Sequence, residues 1–207
     1  MIRLHCYYSL SSPWAYFGGP RLAALTQAYE VKLELRPFDF QAIVPHTGGI
    51  PLRTRPQERQ TYHALELARW SKRLKMPINL VPRYYRKQAL PSDWNKLPGW
   101  TVIAAQQAGL DAQALSHALL KALWVEERDT ADASVRVEIA DSLGMPGVEL
   151  VTAERGDLVQ AAYREFSEQA RLIGVFGSPT YVIEAERFWG QDRLDFLEER
   201  LIELSRI

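Results

Sequence analysis

The sequence predicts an α/β protein in which a β-α-β unit opens the chain, a block of helices follows, and a β-β-α unit closes it. Three observations carry that expectation. Apolar residues alternate with period two over residues 2–8 and again over 31–38. They recur at three-and-four spacing through most of 59–173, then return to a β-rich run at 180–183 ahead of an amphipathic C-terminal segment.

Taken in order, Ile2, Leu4, Cys6 and Tyr8 alternate with Arg3, His5 and Tyr7, which reads as a strand. Ser9-Leu10-Ser11-Ser12-Pro13 forms the turn after it. Ser12 followed by Pro13 marks a helix start, because a serine side chain accepts from the free first-turn amides and proline fits the first helical position. Trp14 to Tyr29 continues the helix, with Trp14, Phe17, Leu22, Leu25 and Tyr29 available for a buried side. Val31 to Phe38 alternates again, so the unit is β-α-β, with parallel strands and a right-handed crossover.

Helices are expected at Arg59–Lys75, Pro98–Gln107, Ala112–Glu127, Ala131–Leu143 and Leu158–Ile173, with a short one at Val148–Leu150. Gly109, Gly144 and Gly147 punctuate them. Residues 78–98, rich in proline and aromatics, read as an irregular loop. Thr180–Ile183 is a strand, 184–187 can turn, and Phe188-Trp189 begins a return strand. Gln191 to Arg206 is a helix with Leu194, Leu197, Leu201 and Leu204 on one side. Neither β-containing end can bury both its faces alone, so the two ends share one sheet. The order fits a thioredoxin-like domain of residues 1–38 and 174–207, interrupted by an inserted all-helical domain of 39–173.

Composition narrows the function classes. In 207 residues, 25 Lys+Arg balance 25 Asp+Glu, which gives no electrostatic case for nucleic acid or an anionic membrane as partner. No apolar stretch approaches the roughly 20 residues of a membrane-spanning helix. The opening Met1-Ile2-Arg3-Leu4-His5-Cys6 lacks the features of a secretory signal, and a cytoplasmic location is expected. Cys6, the single cysteine, cannot form an intramolecular disulfide and reads as a small buried hydrophobe. His5, His46, His63 and His117 show no metal-ligand spacing, so no metal is expected. Gly18-Gly19-Pro20 lacks the spacing of a nucleotide loop. Trp70, Trp100 and Trp124 lie on predicted helices, where core is the commoner role, and a homodimer is left open.

Several segments resemble one family. Tyr8-Ser9-Leu10-Ser11-Ser12-Pro13-Trp14-Ala15-Tyr16 resembles the Ser-Pro-aromatic opening of the 2-hydroxychromene-2-carboxylate isomerases, relatives of kappa-class glutathione transferases within the DsbA-like thioredoxin superfamily. Gly174-Val175-Phe176-Gly177-Ser178-Pro179-Thr180-Tyr181 is similar to its cis-proline segment, and Phe188-Trp189-Gly190-Gln191-Asp192-Arg193-Leu194-Asp195 to its final turn and helix start. Ala122-Leu123-Trp124-Val125-Glu126-Glu127 resembles a family helix.

The resemblance implies glutathione as cofactor. A thiol is mostly protonated at neutral pH, and a hydroxyl donor at a helix N-terminus favours its thiolate. Ser12 sits at such a place and is implied to contact the glutathione sulfur, with Ser9 and Ser11 as lesser candidates. A cis Pro179 would turn the Ser178 backbone toward the tripeptide for β-like pairing. Gln191 and the adjacent amides would take the γ-glutamyl carboxylate, and Asp192 its ammonium. Trp14, Tyr84 and Asn95, the last two in the loop from Arg83 to Asn95, are candidate contacts to an aromatic small-molecule substrate.

Three departures stand out: relatives usually carry an acidic residue at Ser9 and an asparagine at Gly49, and many have a lysine near Pro45 and His46. The implied activity is glutathione-dependent isomerisation of 2-hydroxychromene-2-carboxylate or a related aromatic acid, through reversible thiolate addition, in aromatic-compound catabolism. A kappa-like transferase conjugating electrophiles and a non-catalytic thioredoxin-fold binding protein are the alternatives. A disulfide oxidoreductase is disfavoured because no cysteine pair spans Ser9 to Ser12.

Overall fold

A computed structural model describes residues 2–85 and 93–206. The chain begins with β1 (Arg3–Tyr8), α1 (Pro13–Ala28) and β2 (Lys32–Pro37), continues through α2 (Phe40–Ile43), α3 (Gln57–Leu74), α4 (Leu97–Gln107), α5 (Ala112–Trp124), α6 (Ala133–Ser142), α7 (Gly147–Ala153) and α8 (Asp157–Leu172), and ends with β3 (Thr180–Ile183), β4 (Glu186–Trp189) and α9 (Leu194–Ser205).

The four strands form one sheet in the order β2-β1-β3-β4. β1 runs parallel to β2, with Cys6 opposite Leu35, and antiparallel to β3, with Cys6 opposite Tyr181. β3 and β4 are antiparallel. Alternation along β1 sends Leu4, Cys6 and Tyr8 into a large core shared with α1, α9 and the helical segment, while Tyr7 packs with Phe38, Val44, Ala170, Val175 and Val182 in a smaller cluster. Cys6 is buried, as expected of a small hydrophobe, and burial pushes its thiol far up. Trp100 and Trp124 are core residues. No described helix is long and apolar enough to cross a membrane.

The helical segment is tied by one deeply buried ion pair. Arg136, 1% exposed, donates from Nη2 to Glu154 Oε1 at 2.7 Å and from Nε to Oε2 at 3.1 Å. The Thr101 hydroxyl also donates to Glu154 Oε2, and Arg136 Nη1 donates to the Thr130 carbonyl. Each guanidinium nitrogen and each carboxylate oxygen of the pair thereby has at least one partner, as a buried charge requires.

Two local features differ from the sequence expectation. α2 is a single extra turn, capped by Asp39 Oδ1 accepting from Ala42 N at 3.1 Å, with Asp39 held by Lys96 at 2.8 Å. The last helix starts at Leu194 rather than Gln191, because a 3-10 turn over Gln191–Arg193 intervenes. Gly190, at φ 102°, sets that turn in a conformation open to glycine.

Candidate functional site

The β1–α1 turn folds onto the segment before β3. Ser12 caps α1: its hydroxyl accepts from Ala15 N at 3.2 Å, while its carbonyl accepts from Tyr16 N. Pro13 contributes no N–H, so Trp14 N–H is the first-turn amide left to point outward. The Ser12 hydroxyl donates its proton to the Ser178 carbonyl at 3.0 Å. Ser178 Oγ in turn accepts from Ser9 N at 2.9 Å, and Ser9 and Ser11 hydroxyls lie 2.8 Å apart. The Ser178-Pro179 peptide bond is cis. The cis bond is as expected, and of the Ser178 backbone groups expected to pair with the tripeptide the carbonyl already accepts from Ser12.

Ser12 and Ser178, both 7% exposed, lie at the floor of a two-lobed cleft. The smaller lobe, about 140 Å³, is walled by the serines and by Trp14, Phe40, Tyr85 and Phe176. The larger, about 290 Å³, lies between α3 and the Gly190–Arg193 turn. Trp14, Arg55, His63, Ser178 and Trp189 border both. Trp14 meets His63 edge-on at 5.4 Å, and Trp189 meets Phe176 edge-on at 4.8 Å. The larger lobe carries three guanidiniums (Arg55, Arg59, Arg193) against two carboxylates (Glu66, Asp192). Asp192 pairs with Arg193 at 2.8 Å, and Glu66 pairs with Arg69, whose guanidinium holds it below the usual carboxylate range.

Of the expected site residues, Ser12, Trp14, Ser178, Gln191 and Asp192 border the cleft. Pro179 lies just behind it, lining a small apolar void under α1. Gln191 is only 4% exposed, so its side chain is largely enclosed and Asp192 and Arg193 present the polar groups. Tyr84 and Asn95 border neither lobe; Tyr85 does, with its ring against Trp124 at 4.7 Å. Arg86, Lys87 and Gln88 of the same loop lie outside the described residues. Arg55, Arg59, His63 and Arg193 are cleft residues that the sequence did not single out. All four lie in a loop, a turn or an amphipathic helix, where only the fold shows which way they face. Gly49 has a packing reason: a Cβ there would overlap Val44 and come within 2.5 Å of the Phe176 carbonyl.

Fold and site together define a thioredoxin-like protein that presents a hydroxyl, not a thiol, at the helix N-terminus beside its cis-proline segment. The chain matches the DSBA-like thioredoxin domain over residues 3–202 and belongs to that family. It is 27% identical over 203 residues to the 2-hydroxychromene-2-carboxylate isomerase of Sphingobium xenophagum, covering 95% of this chain and 96% of the relative. It is 22% identical over 201 residues to glutathione S-transferase kappa 1 of Rattus norvegicus, covering 94% and 88%. A solved structure of 2-hydroxychromene-2-carboxylate isomerase shares the fold with a TM-score of 0.78 at 23% identity, covering 99% of this chain and 97% of that one. The resemblance and the α/β thioredoxin-like class expected from sequence are both borne out.

Proposed function

We propose that this chain is a glutathione-dependent isomerase of 2-hydroxychromene-2-carboxylate or a related aromatic acid, acting in the cytoplasm on aromatic-compound catabolism. The observation that carries the reading is Ser12, a buried hydroxyl at the capped start of α1, on the floor of a cleft with one aromatic and one zwitterion-complementary lobe.

The residues present fit glutathione on their donor set. Arg193 and Asp192 offer opposite charges 2.8 Å apart, matching the carboxylate and ammonium of a γ-glutamyl group. Arg59 supplies a cation for the glycine carboxylate. Arg59 and Arg193 together match the two carboxylates of the tripeptide, and Asp192 its single ammonium. Glutathione held by Arg59, Asp192 and Arg193 would supply a sulfur nucleophile for reversible addition.

The chain's own residues orient and stabilise. The Ser12 hydroxyl swings its proton from the Ser178 carbonyl to the sulfur, and the Trp14 amide adds the field of the helix N-terminus. Trp14, Tyr85 and Phe176 wall the smaller lobe, hold an aromatic ring there and exclude water.

Calorimetric titration of glutathione into the wild-type protein and Asp192→Ala tests the reading. Saturable binding that the variant weakens several-fold supports it, and a chromene carboxylate assay then separates isomerised acid from a stable conjugate. A conjugate as product would move the reading to a kappa-like transferase. Absence of heat at millimolar glutathione would sink it.

A further inference from the structure

We infer that Arg55, at the waist between the two lobes, anchors the carboxylate of the second substrate. The inference deepens the reading above and rests on it. Among the five residues that border both lobes, Arg55 is the one with a permanent charge. Its Nε donates to the Ile50 carbonyl at 2.7 Å, which orients the guanidinium plane. No carboxylate lies within ion-pair distance of it among the described residues. By contrast, Arg193 is paired with Asp192 and Arg69 with Glu66.

Burial lowers the pKa of Arg55, and the neighbouring Arg59 guanidinium pushes the same way. The waist therefore holds an uncompensated positive charge that an incoming anion neutralises. A planar fork suits a carboxylate through two parallel hydrogen bonds. With an aromatic ring between Trp14 and Tyr85, a carboxylate projecting from the smaller lobe reaches the waist, while Arg59, which borders only the larger lobe, remains for the tripeptide.

The test uses the full chain, 2-hydroxycinnamate as the probe acid and its amide as the uncharged control, followed by quenching of tryptophan fluorescence with and without glutathione. The wild type binds the acid more tightly than the amide. Arg55→Gln weakens the acid by about 10- to 100-fold, the range expected for losing charge-assisted hydrogen bonds, and leaves the amide and glutathione within about two-fold. Arg55→Lys retains part of the preference for the acid, and unlike the glutamine variant it keeps a charge at the waist should Arg55→Gln fold poorly.

Weakened glutathione binding with unchanged acid binding would overturn the assignment and make Arg55 a tripeptide contact. Unchanged affinity for both, with only a lower Tm, would overturn it and leave Arg55 as a clamp on Ile50. Preference for the acid in a protein that binds no glutathione would uphold Arg55 and remove the glutathione reading.

Discussion

Removing the Ser12 hydroxyl separates its two roles, because each has its own observable. The hydroxyl has one proton, which goes to the Ser178 carbonyl at 3.0 Å. Serving a thiolate means exchanging that neutral hydrogen bond for a charged one. A hydrogen bond to a charged group is worth about 1.5–3 kcal/mol net and a neutral one about 0.5–1.5 kcal/mol. The difference, about 1–1.5 kcal/mol, corresponds to about one pKa unit on the bound thiol. Ser12→Ala therefore raises the pKa of bound glutathione by about one unit, and below that pKa its thiolate fraction falls about ten-fold.

The structural role costs stability independently. Losing the cap on Ala15 N removes about 1 kcal/mol. Leaving the buried Ser178 carbonyl without its donor removes about 1–3 kcal/mol more. At about 2–4 °C per kcal/mol for a chain of this size, Tm falls by about 4–16 °C. Ultraviolet thiolate absorbance of the saturated complex, followed against pH, reads the first effect, and thermal unfolding reads the second. A bound thiol whose pKa is the same in Ser12→Ala as in the wild type would refute the sulfur assignment and leave Ser12 a helix cap.

Gly49→Asn, which brings in the amide that relatives usually carry, does not create a better glutathione site. Its Cβ meets Val44 and the Phe176 carbonyl, so overpacking costs about 1–3 kcal/mol, and calorimetry shows no gain in glutathione affinity. Glu154→Gln strands the Arg136 guanidinium in the core, costing about 3–5 kcal/mol and lowering Tm by about 6–20 °C. Glutathione affinity at 25 °C stays unchanged in that variant as long as it remains folded, since the pair joins helices remote from the cleft; a large loss in binding would contradict this separation.

What the sequence made legible followed from local chemistry. Alternation from Ile2 to Tyr8 found β1, and Ser12-Pro13 found the start of α1 to the residue, because capping and proline geometry act within one turn. α2 escaped notice because four residues hold no period, and its cap, Asp39, is fixed by Lys96 from a distant segment. The site divides along the same line. Position beside a helix or turn marks Ser12 and Asp192 only as capping or dipole residues; the family resemblance makes them site candidates, and the fold brings both to one cleft.

Tyr84 and Tyr85 are indistinguishable by type in an aperiodic loop, yet Tyr85 borders the cleft and Tyr84 does not. Arg55 is the sharper case. Its significance lies in which charges surround it, a property of the tertiary arrangement with no local signature. Its immediate neighbours in sequence, Thr54 and Pro56, are uncharged, and Arg53 two residues before it is of the same type, so nothing local distinguishes it from a solvated loop arginine. Only the junction of α3, the β1–α1 turn and the segment before β3 turns it into a candidate anion site. A capped helix end can thus be read from the chain, whereas an unpaired charge requires the fold to show which partners are missing.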